Sequence, residues 1–202
     1  MEGNLYKKSN TFLKGVIMSV VIKELSDEFF EMKLVKNFLF GQIKNEYGYG
    51  YVPEYHKDII CMDDYYVLPK RNDFFLAIDD EKDKIVGSIA VRAYDKSFKE
   101  FEHIYNGQYT ASIWRLFVDR NYRRCGLASE LFRCVENFCY LNNYKQIYLH
   151  THKDLGGALQ FWKKMGFEII WDTNNELQTV HMEKKLADLS PTILTSKPSV
   201  KS

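Results

Sequence analysis

Two periods of apolar residues alternate along the middle of this chain, one typical of strands and the other of helices. The pattern predicts a strand over 20–24, a helix capped by Ser26 or Asp27, and paired strands over 74–78 and 85–92. Another strand is predicted over 112–118. The buried face predicted for the first helix consists of Phe30, Leu34, Val35 and Phe38.

The clearest helix follows the strand over 112–118. A short strand is predicted over 146–150, then a second helix, then a hairpin over 167–171 and 177–183. Strands separated by helices with short links favour a parallel pair covered by helices, whereas hairpins pair antiparallel. The predicted buried residues are Ala128, Leu131, Phe132, Val135, Phe138 and Cys139 on the first of these helices and Ala158, Phe161, Trp162 and Met165 on the second.

The predicted fold is therefore a single α/β domain. It has a mixed, largely antiparallel sheet of about six to seven strands, with a central parallel pair and flanking helices. Residues 1–18 are polar and dotted with lysine, and we expect a flexible lead-in to a domain over 19–186. Residues 187–202 are rich in Ser, Thr, Pro and Lys and are expected to be disordered.

The charge balance limits the function classes. There are 28 Lys and Arg against 27 acidic residues, so no general positive field attracts nucleic acid or membrane. The apolar run over 16–22 is too short to span a bilayer. None of the four cysteines forms a C-x-x-C pair, which favours free thiols in a reducing compartment. We expect a cytoplasmic protein with no nucleic-acid or membrane partner, and the sequence leaves a homodimer open.

Candidate chemistry is concentrated where the strand over 112–118 gives way to the clearest helix. The first turn of a helix has N–H groups without intrahelical partners, which carry partial positive charge. Gly126 and Ala128 lack the bulk that would keep a ligand away from these donors, and Arg123 and Arg124 add positive charge. Residues 123–128 thus predict a phosphate cradle. The alternative is a relaxed turn with solvated arginines. Neither G-x-x-x-x-G-K-[ST] nor G-x-G-x-x-G occurs.

The segment Arg123-Arg124-Cys125-Gly126-Leu127-Ala128 resembles the R/Q-x-x-G-x-G/A motif of the GNAT superfamily of N-acyltransferases. Residues 158–167, ALQFWKKMGF, resemble the later helix of that family, A-x-x-F/L-Y-x-K-x-G-F. The resemblance covers roughly residues 20–186 and is strongest over 112–171. Either motif alone is a moderate signal; both, in this order and spacing, are a strong one.

The resemblance implies a mechanism in which an amine attacks the thioester of acetyl-CoA directly, in a ternary complex, without a metal. It implies that the cofactor diphosphate binds the backbone of Arg123, Arg124, Cys125, Gly126, Leu127, Ala128 and Ser129. Main-chain groups of Phe117 and Val118 would pair with the pantetheine arm where two strands splay apart. Cys125 is expected to contribute its backbone N–H rather than its thiol.

The remaining site residues are open to alternatives. His150 and His152 are candidate bases on one strand face, and solvated histidines are the alternative. Arg115 would hold an acceptor carboxylate or form a structural ion pair. Tyr47 and Tyr49 belong to a Tyr- and Gly-rich stretch that forms either an acceptor lid or an ordinary loop.

Trp162 stands where the family often has a tyrosine that protonates the departing thiolate, and an indole N–H is too weak an acid for this. The leading hypothesis is an N-acetyltransferase for a primary amine of a small molecule or amino acid. A protein N-terminal or lysine acetyltransferase and a non-catalytic acyl-CoA-binding module are the alternatives.

Overall fold

A computed structural model describes residues 5–13, 16–95 and 98–187. Within these residues, eight strands form one sheet in the order β1-β2-β3-β4-β5-β6-β8-β7, in which only β5 and β6 are parallel neighbours. The strands are β1 Leu5–Leu13, β2 Val16–Glu24, β3 Asp73–Asp79, β4 Lys84–Ala93, β5 Thr110–Val118, β6 Gln146–His152, β7 Glu168–Asp172 and β8 Thr179–Lys185. The helices are α1 Phe29–Tyr47, α2 Pro53–Ile60, α3 Leu127–Leu141 and α4 Ala158–Lys164.

The helices cover both faces of the sheet. α3 packs on one face through Leu131, Phe132 and Val135, and α4 packs in the same core through Trp162. α1, α2 and a π-helical turn over Asp63–Val67 pack on the other face, where Leu39 and Ile59 are fully buried. Every apolar residue predicted on α3 is buried or packs against this core. The predicted mixed α/β sheet with a parallel pair and flanking helices is confirmed.

The N-terminal region differs from the prediction. Residues 5–13 and 16–24 form an antiparallel strand pair, where a flexible lead-in over 1–18 was expected, so the sheet has eight strands rather than six to seven. An edge strand pairs its main-chain groups on one side only, and it can carry polar residues and lysines. The polar sequence of residues 5–13 therefore gave no strand pattern. Of the tail predicted over 187–202, residues 188–202 lie outside the described residues.

Two details of α1 were also predicted wrongly. The residue before the helix is Glu28, which makes no side-chain cap; instead the Glu31 carboxylate accepts the N–H of Ser26 at 2.7 Å. Leu34 is 42% exposed, and the buried face runs through Met32, Val35, Leu39 and Ile43. Apolar residues occur on several sides of this helix, so their spacing alone did not determine which side is buried.

Candidate active site

A wedge opens in the middle of the sheet, between β5 and β6. The two strands pair only from Thr110 to Ser112 and from Gln146 to Tyr148. Beyond that point β5 stays paired with β4 up to Val118, and β6 stays paired with β8 up to His152. The expected splaying of these strands is therefore present, and the facing edges beyond the pairing are not joined to each other.

A bulge in β5 shapes one side of the wedge. The register between β4 and β5 shifts between Ser88 and Ala90, and Arg115 lies opposite this shift with a φ of 51°. The Ser88 hydroxyl donates to the Arg115 carbonyl at 2.8 Å. A bulge of this kind bends its strand and redirects the side chain that it carries.

The loop after β5 is anchored to the sheet. A short 3₁₀ turn, Arg120–Tyr122, follows β5, and the Tyr122 ring is buried. The Tyr122 hydroxyl donates to Asp79 at 2.5 Å and receives a hydrogen bond from Lys82 at 3.0 Å. These hydrogen bonds attach the loop to the end of β3 before α3 begins.

The main-chain amides at the start of α3 are donors without an acceptor in the described part of the chain. Gly126 precedes the helix with a φ of 87°, and Arg124 has a φ of 63°. Among the described residues, none of the five amides of 124–128 donates to a main-chain or side-chain acceptor. A Cβ at Gly126 would have nothing within 4 Å, so the space in front of these amides is open. This is the geometry of an anion site at a helix N-terminus.

The two arginines of this loop differ in their contacts. Arg123 donates through Nε to the Val118 carbonyl at 3.0 Å and through its guanidinium to Glu46 at 2.7 Å. Arg123 therefore fastens the loop to the end of α1, which corrects the expectation that it supplies mobile charge. Arg124 is exposed and has no ion pair within the described residues, so its charge is not committed to another side chain.

Cys125 lies between these arginines and the helix. Its thiol donates to the Tyr122 carbonyl at 2.7 Å, so the side chain is engaged with the loop itself. Its backbone N–H is one of the five open donors. All four cysteines of the chain are free, as the sequence predicted.

The Tyr-rich segment over 47–55 exposes its tyrosine rings, and we call it the aromatic lid after the first of its two predicted roles. Tyr47 and Tyr49 contact each other with ring centroids 5.7 Å apart. Arg120 and Arg123 bind Glu46 just before this lid, and Arg115 donates to the carbonyl of Tyr55 at its far end. The lid is therefore fastened at both ends to the strand and loop that carry the wedge.

Arg115 forms a buried ion pair rather than an open cationic site. Its Nε and one terminal nitrogen donate to the two oxygens of Asp58 at 2.9 and 2.5 Å, and Tyr66 donates to the same carboxylate at 2.5 Å. Burial alone would raise the pKa of Asp58, but the hydrogen bonds and charge of Arg115 outweigh it and lower the pKa. Of the two predicted roles of Arg115, these contacts favour the structural pair.

Glu46 is likewise committed to ion pairing. Burial would raise its pKa, but the hydrogen bonds and charges of Arg123 and Arg120 lower it. A carboxylate with a lowered pKa is a weaker proton acceptor, which disfavours Glu46 as a base.

The two candidate histidines lie on β6, past the point where it leaves β5. His150 and His152 share a face with Tyr148, which packs on Tyr94, the residue after β4. Tyr148 belongs to an aromatic cluster with Tyr94, Phe101 and Tyr105, and the His150 ring contacts Phe98 and His181 beside that cluster. His150 is exposed, whereas His152 Nδ1 lies 3.2 Å from the Thr179 hydroxyl.

Trp162 belongs to the core. It is 5% exposed and packs edge-on against Phe132 and Phe167, with ring centroids 5.7 and 5.2 Å away. The structure therefore gives it a packing role between α3 and α4, and it supplies no acid for a leaving thiolate.

Sequence reasoning did not single out His56 and Asp58, which lie under the aromatic lid. Both are isolated polar residues on a short helix, and the partner of Asp58 is 57 positions away in the chain. Their only sequence signal was their place beside the Tyr-rich segment.

Within the described part of the chain, no helix is long and apolar enough to cross a membrane. Across the same residues, no group of three or more potential ligands could hold a metal ion.

A wedge between parallel strands, with an anion site at the start of the next helix, defines a class of α/β acyltransferase domains. Residues 37–167 match the model of the Acetyltransferase (GNAT) family. The chain therefore belongs to this family of acyl-CoA-dependent N-acetyltransferases.

Individual relatives are more distant. N-acetylaspartate synthetase of Rattus norvegicus is 29% identical over 112 residues, 55% of this chain and 33% of that protein. The chain thus spans about a third of the length of this curated relative. An acetyltransferase from Streptococcus agalactiae has a TM-score of 0.66 at 20% identity, covering 83% of this chain and 98% of that chain. PaiA N-acetyltransferase from Thermoplasma acidophilum, solved with coenzyme A, has a TM-score of 0.61 at 18% identity over 84% of this chain and all of that chain.

Proposed function

We propose that this chain transfers the acetyl group of acetyl-CoA to the primary amine of a small molecule or amino acid. One observation carries the proposal: the five open amides of 124–128 lie at the start of α3, beside the wedge between β5 and β6. The cofactor requires a site for its anionic diphosphate, which the amides provide. It also requires an open strand edge for its extended pantetheine arm, which the wedge provides.

The cofactor is assigned to this chain's residues as follows. The amides of 124–128 and the Arg124 side chain hold the diphosphate. The amides of Arg123 and Ser129, which the resemblance also implied, instead donate to the carbonyls of Arg120 and Gly126. The pantetheine lies along Phe117 and Val118, on the edge of β5 that β6 has left. The thioester carbonyl is bound by a main-chain N–H near Val118. A donor of this kind contributes about 3–4 kcal/mol to the transition state.

The acceptor amine is placed beneath the aromatic lid, where Tyr47 and Tyr49 provide amphipathic walls. The name of the rat relative, N-acetylaspartate synthetase, supports an amino acid as the acceptor. Arg115 is committed to Asp58, so we assign it the role of holding the lid rather than binding the acceptor.

The neutral amine attacks the thioester carbon, the carbon–sulfur bond breaks, and the amine loses a proton. We assign that proton to His150, directly or through water, because His150 is exposed on β6 beyond the point where this strand leaves β5. His152, whose Nδ1 lies 3.2 Å from the Thr179 hydroxyl, is the second candidate. A thiol with a pKa of about 8–9 leaves without an acid, so Trp162 does not prevent turnover.

A non-catalytic acyl-CoA-binding module is the second candidate function. The buried position of Trp162 favours it, because the position that often carries the family's general acid holds a core side chain here.

Release of the CoA thiol, measured over a panel of amino acids, diamines and peptide N-termini, separates these functions. We expect turnover with one or more free amino acids, and a fall in kcat of about 10²–10⁴-fold in His150→Gln, the contribution typical of a general base. Turnover restricted to peptides would indicate a protein acetyltransferase. Tight binding of acetyl-CoA with no turnover on any amine would indicate the binding module.

A further inference from the structure

His56 is a buried imidazole that no step of the proposed transfer uses. It is 2% exposed, and its φ of −126° and ψ of 16° interrupt α2 with a kink. Its Nδ1 accepts the main-chain N–H of Val52 at 2.9 Å. An accepting Nδ1 carries no proton, so the ring in this arrangement is neutral, with its hydrogen on Nε2.

Four aromatic rings surround this imidazole. Tyr49 stacks on it at 6.1 Å between centroids, Tyr51 lies at 6.1 Å and Tyr55 at 6.5 Å, and Phe40 of α1 meets it edge-on at 5.6 Å. The three tyrosines are between 42% and 65% exposed. The three exposed tyrosine rings of the lid therefore all contact the buried imidazole of His56.

The same short helix joins the lid to the wedge. Two residues after His56, Asp58 binds Arg115, and Arg115 also donates to the Tyr55 carbonyl at 2.6 Å. The conformation of residues 52–58 is thus set by His56 on one side and by the β5 bulge on the other.

We infer that His56 is a positioning residue that holds the aromatic lid in the closed arrangement required to bind the acceptor amine. This inference rests on the proposed function of the lid. His56 touches neither the cofactor loop nor the reacting atoms in this account, so its effect is on acceptor binding rather than on the chemical step.

Protonation of His56 would undo the arrangement. The groups that influence its charge are Arg115 from β5 and Asp58 from α2, and the other neighbours are the rings of Phe40 and the lid tyrosines. Burial and the charge of Arg115 lower the pKa of His56 and outweigh Asp58, which raises it. The ring is therefore neutral at pH 7, and a proton on Nδ1 at acid pH would remove the acceptor for Val52.

The test compares His56→Ala with His56→Asn, because an asparagine oxygen can replace Nδ1 as the acceptor and does not titrate. We expect His56→Ala to raise the acceptor KM roughly tenfold, as when one partly buried amide loses its partner. Its kcat and its Kd for acetyl-CoA should stay within about twofold of wild type. His56→Asn should restore the acceptor KM, and should abolish the rise in KM that wild type shows as the pH falls below the His56 pKa.

Amide hydrogen exchange over 49–58 provides a readout that does not need an acceptor. We expect the Val52 amide to lose protection in His56→Ala and to keep it in His56→Asn. An unchanged KM or unchanged protection in His56→Ala, or a His56→Asn variant no better than alanine, would overturn the inference. If wild type turns over no amine, the proposed function fails, whereas the exchange data still decide whether His56 holds the lid.

Discussion

The backbone of Gly126 allows a sharp test of the phosphate site. Its φ of 87° is unfavourable for any residue with a Cβ, and the space where that Cβ would lie is empty within 4 Å. Gly126→Glu places a carboxylate in front of the open amides, and Gly126→Gln places a neutral group of the same shape there. The left-handed conformation costs both variants about 1–2 kcal/mol, so the pair differs only in charge.

The magnitude follows from Coulomb's law. One carboxylate about 5 Å from one phosphate charge, at an effective dielectric constant of about 20, is repelled by about 3 kcal/mol. That energy corresponds to roughly a hundredfold loss of affinity. Part of the repulsion is screened by salt, because residue 126 is exposed.

Isothermal titration with acetyl-CoA at low and high ionic strength measures the difference. We expect Gly126→Glu to bind roughly a hundredfold more weakly than Gly126→Gln at low salt, and the gap to shrink at high salt. Circular dichroism confirms that both variants fold. Equal affinities of the two folded variants would refute the assignment of the diphosphate to this loop.

Three further predictions concern stability. Trp162→Ala should lower the free energy of unfolding by about 3–5 kcal/mol in urea titrations, while Trp162→Phe loses much less. Asp58→Ala should destabilise by about 3–5 kcal/mol, because it leaves Arg115 buried without its partner; an effect below about 1 kcal/mol would contradict the buried pair. Burial raises the pKa of Asp79, but hydrogen bonds from Lys82 and a tyrosine hydroxyl lower it to about 2. Stability from this carboxylate should be complete above its ordinary pKa of 3.8 and lost as the pH falls towards 2, and Asp79→Asn should remove that component.

The parts of the fold that the sequence predicted are those with long periodic signals. The α3 pattern spans several turns and begins at Gly126, so both the helix and its N-terminal site could be located. The strand β1 was missed because its lysine-rich residues form the edge of the sheet, where alternation with apolar residues is not needed.

The candidate site could be predicted only where main-chain geometry determines it. The amides of 124–128 follow from a strand, a turn and a helix start, all of which leave local signals. The contacts of Arg123 with Glu46 and of Arg115 with Asp58 join residues 77 and 57 positions apart. Partners at such distances depend on tertiary packing and leave no local spacing pattern.

The central claim is that the main-chain amides of 124–128 bind the diphosphate of the cofactor. Amide chemical shifts of isotopically labelled protein, recorded during titration with CoA and separately with pantetheine, test this directly. We predict that CoA moves the resonances of these five amides more than any others, and that pantetheine, which has no diphosphate, leaves them unchanged. Shifts concentrated elsewhere in the protein on adding CoA, with these five amides unaffected, would contradict the account.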